Sequence, residues 1–123
     1  MIDERIVSLQ SLDLGSEIRS LYSANYGRRC RPIWTWDKFS PDQLASVATA
    51  IPTTELLQIL VRILRNYGQA RSGLPDLFLW KPGSCAFVEV KGPRDKLASH
   101  QVEWLAFLYK LRFRVFVVRV EEG

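Results

Sequence analysis

Two acids and a lysine have the types and spacing to do chemistry together: Asp76, then twelve residues, then Glu89-Val90-Lys91. They sit in two short β-rich runs, Asp76-Leu77-Phe78-Leu79-Trp80 and Cys85-Ala86-Phe87-Val88-Glu89-Val90. Lys81-Pro82-Gly83-Ser84 joins the runs, which predicts a hairpin. Antiparallel pairing sets the start of one strand beside the end of the other, so Asp76 and Glu89 meet. Strand alternation sends Glu89 and Lys91 to one face and Val90 to the other. Burying two carboxylates and an ammonium at the end of an apolar sheet is costly unless something offsets it. A hard divalent cation does so, because Mg²⁺ takes one or two carboxylates together with phosphate oxygens and water. Asp76 and Glu89 are the expected ligands of Mg²⁺ or Mn²⁺, with the Val90 carbonyl as a further one. Such a metal would polarise a phosphodiester and lower the pKa of a bound water. Lys91 would orient that water or hold the developing negative charge. A plain salt bridge between Lys91 and either acid is the alternative that these three residues alone leave open.

The elements that must position this group follow from hydrophobic period and capping signals. Ile18, Leu21, Tyr22 and Tyr26 predict a helix over 16–26. Pro32-Ile33-Trp34-Thr35-Trp36 reads as extended. Ser40-Pro41-Asp42-Gln43 starts a second helix, with Ser as N-cap, Pro at N1 and Gln at N3 closing a capping box; it stops near Pro52. Thr53-Thr54 caps a third, whose stripe is Leu56, Leu57, Leu60, Ile63, Leu64 and Tyr67 and whose end is Gly68. Beyond the hairpin, Gly92-Pro93 ends the second strand. A helix over 98–111 then has Trp104, Leu105, Leu108 and Leu111 on its inner face, and Phe113 to Val120 is a last strand. Strand, helix and strand with short links make a right-handed parallel crossover. The order after residue 53 is α-β-β-α-β, an α/β fold around a small mixed sheet flanked by helices.

With 123 residues the expected organisation is one domain, a helical part over 1–52 and a core over 53–120. A composition 47% hydrophobic and 24% charged can fill a core and excludes whole-chain disorder. No apolar run approaches the roughly 20 residues of a membrane span, and the acidic N-terminus does not resemble a signal peptide. The expectation is a soluble chain inside the cell. Net charge is +4, and residues 61–123 hold 11 bases against 6 acids, which points to a polyanion, nucleic acid first. Arg71, Arg94 and Lys96 lie nearest the strand ends and are the expected phosphate contacts. Arg62 and Arg65, and Arg28, Arg29 and Arg31, read equally as solvated faces. Trp34, Trp36, Trp80 and Trp104 read as core, Cys85 as a buried small apolar residue and His100 as a surface histidine. Two separated cysteines and one histidine exclude a structural zinc site.

The longer string is distinctive: Gly73-Leu74-Pro75-Asp76, Glu89-Val90-Lys91-Gly92-Pro93, Asp95-Lys96-Leu97 and Gln101-Val102-Glu103-Trp104. It resembles the PD-(D/E)xK nucleases, and among them the virus-type replication–repair nuclease (VRR-NUC) domain at the C-terminal end of the Fanconi-associated nuclease family. That family has a G-L-P-D strand, an E-V-K-G-P strand and an L-S-x-x-Q-x-x-W helix in this order. Trp36-Asp37-Lys38-Phe39 also matches a W-D-R-F stretch before the core, and the likeness runs from about Trp34 to Val120. The resemblance implies a restriction-endonuclease-like fold and a metal-dependent DNA nuclease of interstrand-crosslink repair, cutting 5′ flaps and degrading from 5′ ends. It implies that Asp76 and Glu89 bind metal, that Lys91 is the catalytic lysine and that Gln101 reaches toward the site. The partner implied is flap, branched or nicked DNA, in a bacterial nucleoid or a eukaryotic nucleus. The family carries a further helical acid and large upstream portions. Neither Glu17 nor Glu55 is assigned to that role, and the chain is expected to be a separated C-terminal module of a larger nuclease or a truncated gene product. Two other expectations stand beside this one: a DNA-binding module without activity, and a dimeric Holliday-junction resolvase.

Overall fold

The computed structural model describes residues 13–28, 36–65 and 72–122. They fall into two compact units, Met1–Leu56 and Leu57–Gly123. The expected extended segment at 32–36 and the end of the third helix at Tyr67-Gly68 lie outside the described residues, Trp36 excepted.

In the first unit, α1 (Leu14–Asn25) begins two residues earlier than its apolar spacing suggested, because Asp13 caps it. The Asp13 carboxylate accepts from the Ser16 hydroxyl at 2.9 Å and the Ser16 amide at 3.3 Å. These bonds, the hydroxyl's first, hold the carboxyl below its ordinary range. The cap's contribution is therefore present above the ordinary carboxylate pKa and fades as pH falls through the lowered one. Tyr22, Tyr26 and Trp36 form an aromatic cluster with ring centroids 5.4–6.1 Å apart. The Tyr26 hydroxyl donates to Asp37, a bond that raises the phenol's pKa. In α2 (Pro41–Ala50) the capping box is complete: the Gln43 amide donates to Ser40 Oγ at 3.1 Å and the Ser40 amide to Gln43 Oε1 at 2.9 Å.

The division between the units falls inside α3 (Thr53–Arg65). Thr53 is its first helical residue rather than its cap. Leu57 and Ile59 are buried, whereas Leu60 and Leu64, expected on the inner stripe, are exposed. In the second unit β1 (Leu77–Lys81) pairs antiparallel with β2 (Ser84–Lys91) through the two-residue turn Pro82-Gly83, where Gly83 adopts a φ of 76°. After α4 (Ser99–Lys110), β3 (Arg114–Arg119) pairs parallel with β2, giving the sheet order β1-β2-β3. This mixed sheet with its crossover helix is the α/β architecture expected, with strand ends shifted by one residue.

One sheet face carries Phe78, Phe87, Glu89, Lys91 and Val115 by register. Phe87 meets Phe113 edge-on at 5.3 Å, and Trp104 and Leu108 of α4 are sealed. Arg62 lies over both Trp104 and Phe107, at 4.9 and 4.6 Å from their ring centroids, so it packs against α4 as a cation–π contact. On the other face Leu77, Leu79, Phe116 and Val118 are exposed, while Val88 of the central strand is buried. Trp80 is exposed too, stacked on Phe78, and Cys85 and His100 are half-buried. For the Cys85 thiol, burial raises the pKa.

α4 ends in a complete Schellman motif: the Phe113 amide donates to the Leu108 carbonyl and that of Arg112 to Tyr109. Arg112 takes the left-handed position, φ 69°, that glycine usually fills. At the other end of α4, Gly73 permits close approach. A Cβ there would stand 2.6 Å from Trp104 Cδ1 and 2.7 Å from the His100 carbonyl oxygen. Gly73→Ala is expected to lower stability by about 1–3 kcal/mol through overpacking against α4. Urea denaturation checks it, and an unchanged midpoint would contradict this contact.

Candidate active site

The site is assembled from the end of β2, the residue before β1 and the first turn of α4. Glu89 and Lys91 are the only charged residues among the described ones that are buried, at 2% and 9% exposure. They share a face two residues apart, and Lys91 Nζ lies 3.0 Å from Glu89 Oε1. The plain salt bridge that the sequence left open is thus present. It is not isolated, because Gln101 closes it into a ring: its Nε2 donates to Glu89 Oε1 at 2.7 Å, and its Oε1 accepts from Lys91 Nζ at 2.9 Å.

The helix fixes which way that amide points. Ala98 caps α4 without a side-chain bond, and Gln101, at N3, accepts the Ala98 amide proton at 2.9 Å. Two donors, the Ala98 N–H and the Lys91 ammonium, thus converge on Oε1, leaving Nε2 for the carboxylate. The first turn of α4 orients Gln101, and Gln101 in turn holds the ion pair.

Asp76 stands one residue before the pair Leu77↔Val88, so continuing the register sets it opposite Glu89. Its Oδ2 accepts from the Val90 amide at 2.9 Å. Contrary to expectation Asp76 is exposed, so only Glu89 and Lys91 bear the cost of burial. The described residues engage one oxygen of each acid. Asp76 Oδ1 and Glu89 Oε2 have no hydrogen-bond partner among the described residues. Two free carboxylate oxygens at neighbouring register positions are a hard donor set, which fits a cation that keeps several waters. Among the described residues no third acid, histidine or cysteine joins them.

Arg94 and Lys96 are exposed on the segment that leaves β2. Arg71 lies outside the described residues. Sequence reasoning missed Arg119, the register partner of Lys91. No spacing rule pointed to it, since its place depends on the parallel pairing of β3.

The VRR-NUC domain family matches residues 11–122. Fanconi-associated nuclease 1 of Danio rerio is 38% identical over 84% of this chain and 11% of its own length. The Caenorhabditis elegans homologue is 34% identical over 96% of this chain and 14% of its own. A crystal structure of paFAN1 bound to gapped DNA with a 2-nucleotide 5′ flap superposes with a TM-score of 0.81 and 27% identity, covering 96% of this chain and 22% of that one. The fold is therefore of the PD-(D/E)xK type, a nuclease class that generally uses divalent metals. The chain spans only a small part of the relatives it matches. By the extent of the family match, this chain belongs to the VRR-NUC family.

Proposed function

We propose that the chain is a divalent-metal-dependent DNA phosphodiesterase of repair, acting on flap or branched DNA as part of a larger nuclease. The observation that carries this reading is the Glu89–Lys91–Gln101 ring beside Asp76, with one carboxylate oxygen on each acid that no described residue engages. Asp76 and Glu89, with the Val90 carbonyl, would hold Mg²⁺ or Mn²⁺. Bound there, the ion supplies Lewis-acid polarisation of the phosphate and a more acidic water. Lys91, pinned on one side by Glu89 and Gln101, presents its remaining proton to the attacking water or to the charge that develops on the phosphate. Gln101 acts through Lys91 and Glu89, keeping both in register as the substrate enters. Arg94, Lys96 and Arg71 would contact flanking phosphates. The flap DNA held by paFAN1 in its crystal structure supports this substrate class, and on this reading the protein works with DNA inside the cell.

The test sets the purified chain against 5′-flap, nicked and four-way-junction DNAs with Mn²⁺, Mg²⁺ or EDTA. Cleavage of the flap that needs metal is the expected result. Mn²⁺ should support it better than Mg²⁺, because two carboxylates offset less of the cost of stripping water from Mg²⁺ than three would. DNA binding without cleavage under any metal would leave a non-catalytic module. Paired nicks on the junction, by a dimer, would identify a resolvase instead.

A further inference from the structure

The segment leaving β2 is locked in place. The Gly92 amide donates to Asp95 Oδ2 at 2.9 Å, and the Asp95 amide returns a bond to the Gly92 carbonyl at 3.3 Å. This small ring is held from outside by a single side chain. Arg119 Nη1 donates to the Gly92 carbonyl at 2.8 Å and the Asp95 carbonyl at 2.9 Å, with Pro93 sharing at 3.3 Å. An Nη has two protons, so the two short bonds take both. The base of this clamp is fixed as well. Arg119 is the register partner of Lys91, and the next amide, that of Val120, donates to the Lys91 carbonyl at 2.8 Å.

Within the clamped span sits Arg94, and just beyond it Lys96; both are exposed and without partners among the described residues. An arginine and a lysine on a loose loop would lose side-chain and backbone entropy on gripping phosphate, and a fixed turn removes the backbone share in advance. We propose that Arg119 is a positioning residue for DNA: through the Gly92–Asp95 turn it sets Arg94 and Lys96 as one phosphate-gripping pair beside Lys91. This rests on the functional reading above. Arg119 thus acts on affinity through two other cations and not chiefly as a charge of its own.

The experiment measures binding to flap DNA without metal, in EDTA, by fluorescence anisotropy across 50–200 mM salt. It uses the wild-type chain, Arg119→Met, the Arg94→Ala/Lys96→Ala double variant and the triple variant, with hydrogen exchange of Gly92 and Asp95 as a second readout. Wild-type affinity is expected to fall about a hundredfold over that range, the loss for roughly four phosphate contacts. Arg119→Met should reduce the salt slope by about 2, as the double variant does, where one lost charge would reduce it by about 1. Adding Arg119→Met to the double variant should change the slope little. Exchange at the Gly92 and Asp95 amides should speed at least tenfold in Arg119→Met while that of α4 is unchanged. Slopes that add independently, or unchanged exchange at the turn, would overturn the proposal. A wild-type chain that binds no DNA would instead sink the functional reading on which it stands.

Discussion

Glu89→Gln is expected to abolish metal-dependent cleavage and to destabilise the fold at once. The amide keeps the shape of the side chain and can still bond Gln101, so packing is preserved. What disappears is the negative charge on a residue that is 2% exposed. One of the two free carboxylate oxygens goes with it, and a hard cation held by Asp76 alone cannot compete well with water. The Lys91 ammonium, 9% exposed, then has no buried counter-charge among the described residues, where its remaining partner is the neutral Gln101. Removing one member of a buried pair costs roughly 3–5 kcal/mol. Cleavage below detection, with a lower urea midpoint, is the outcome to look for. Full cleavage by Glu89→Gln would show that the ligand lies elsewhere.

Lys91→Met separates catalysis from metal binding. The methionine fills most of the volume of the lysine stem but has no proton to give, so the developing charge loses its donor. A loss on the order of a thousandfold in turnover is expected, the upper range for removing one such donor. Mn²⁺ affinity should hold or rise, because a cation beside Glu89 no longer faces an ammonium 3.0 Å from that carboxylate. Isothermal titration and single-turnover cleavage report the two effects independently. A collapse of Mn²⁺ affinity in a folded Lys91→Met protein would contradict the role given to Lys91.

The hairpin, the crossover helix and the parallel last strand were legible because each rests on a local signal. These are short β-rich apolar runs, a Pro-Gly turn and a helical stripe on Trp104 and Leu108. The approach of Asp76 to Glu89 followed from antiparallel pairing alone. Other features were not legible, for reasons that are physical. Periodicity tells which side of an element is apolar and not whether anything covers it, so Leu60, Leu64 and Trp80 were assigned to a core and are exposed. The exposure of Leu77, Leu79, Phe116 and Val118 escaped the sequence for the same reason. Asp76 was expected to be buried with its partners, yet it sits outside the strand proper, where water reaches it. The place of Gln101 came only from family resemblance. The geometric reason, an N3 side chain held by the Ala98 amide, needs the helix start to within one residue. Arg119 was invisible because its role depends on inter-strand register, which no local pattern encodes.

The central claim is that the buried charges are retained for catalysis and not for stability. It is tested most directly by the double variant Glu89→Gln/Lys91→Met, in a comparison of flap cleavage and urea stability with the wild-type chain under Mn²⁺. Removing both members of a buried pair leaves no uncompensated charge, and such replacements are often neutral or stabilising. The expected result is a protein at least as stable as Glu89→Gln alone, close to wild type, that cuts no DNA while the wild-type chain does. A double variant that cuts flap DNA at the wild-type rate would contradict it.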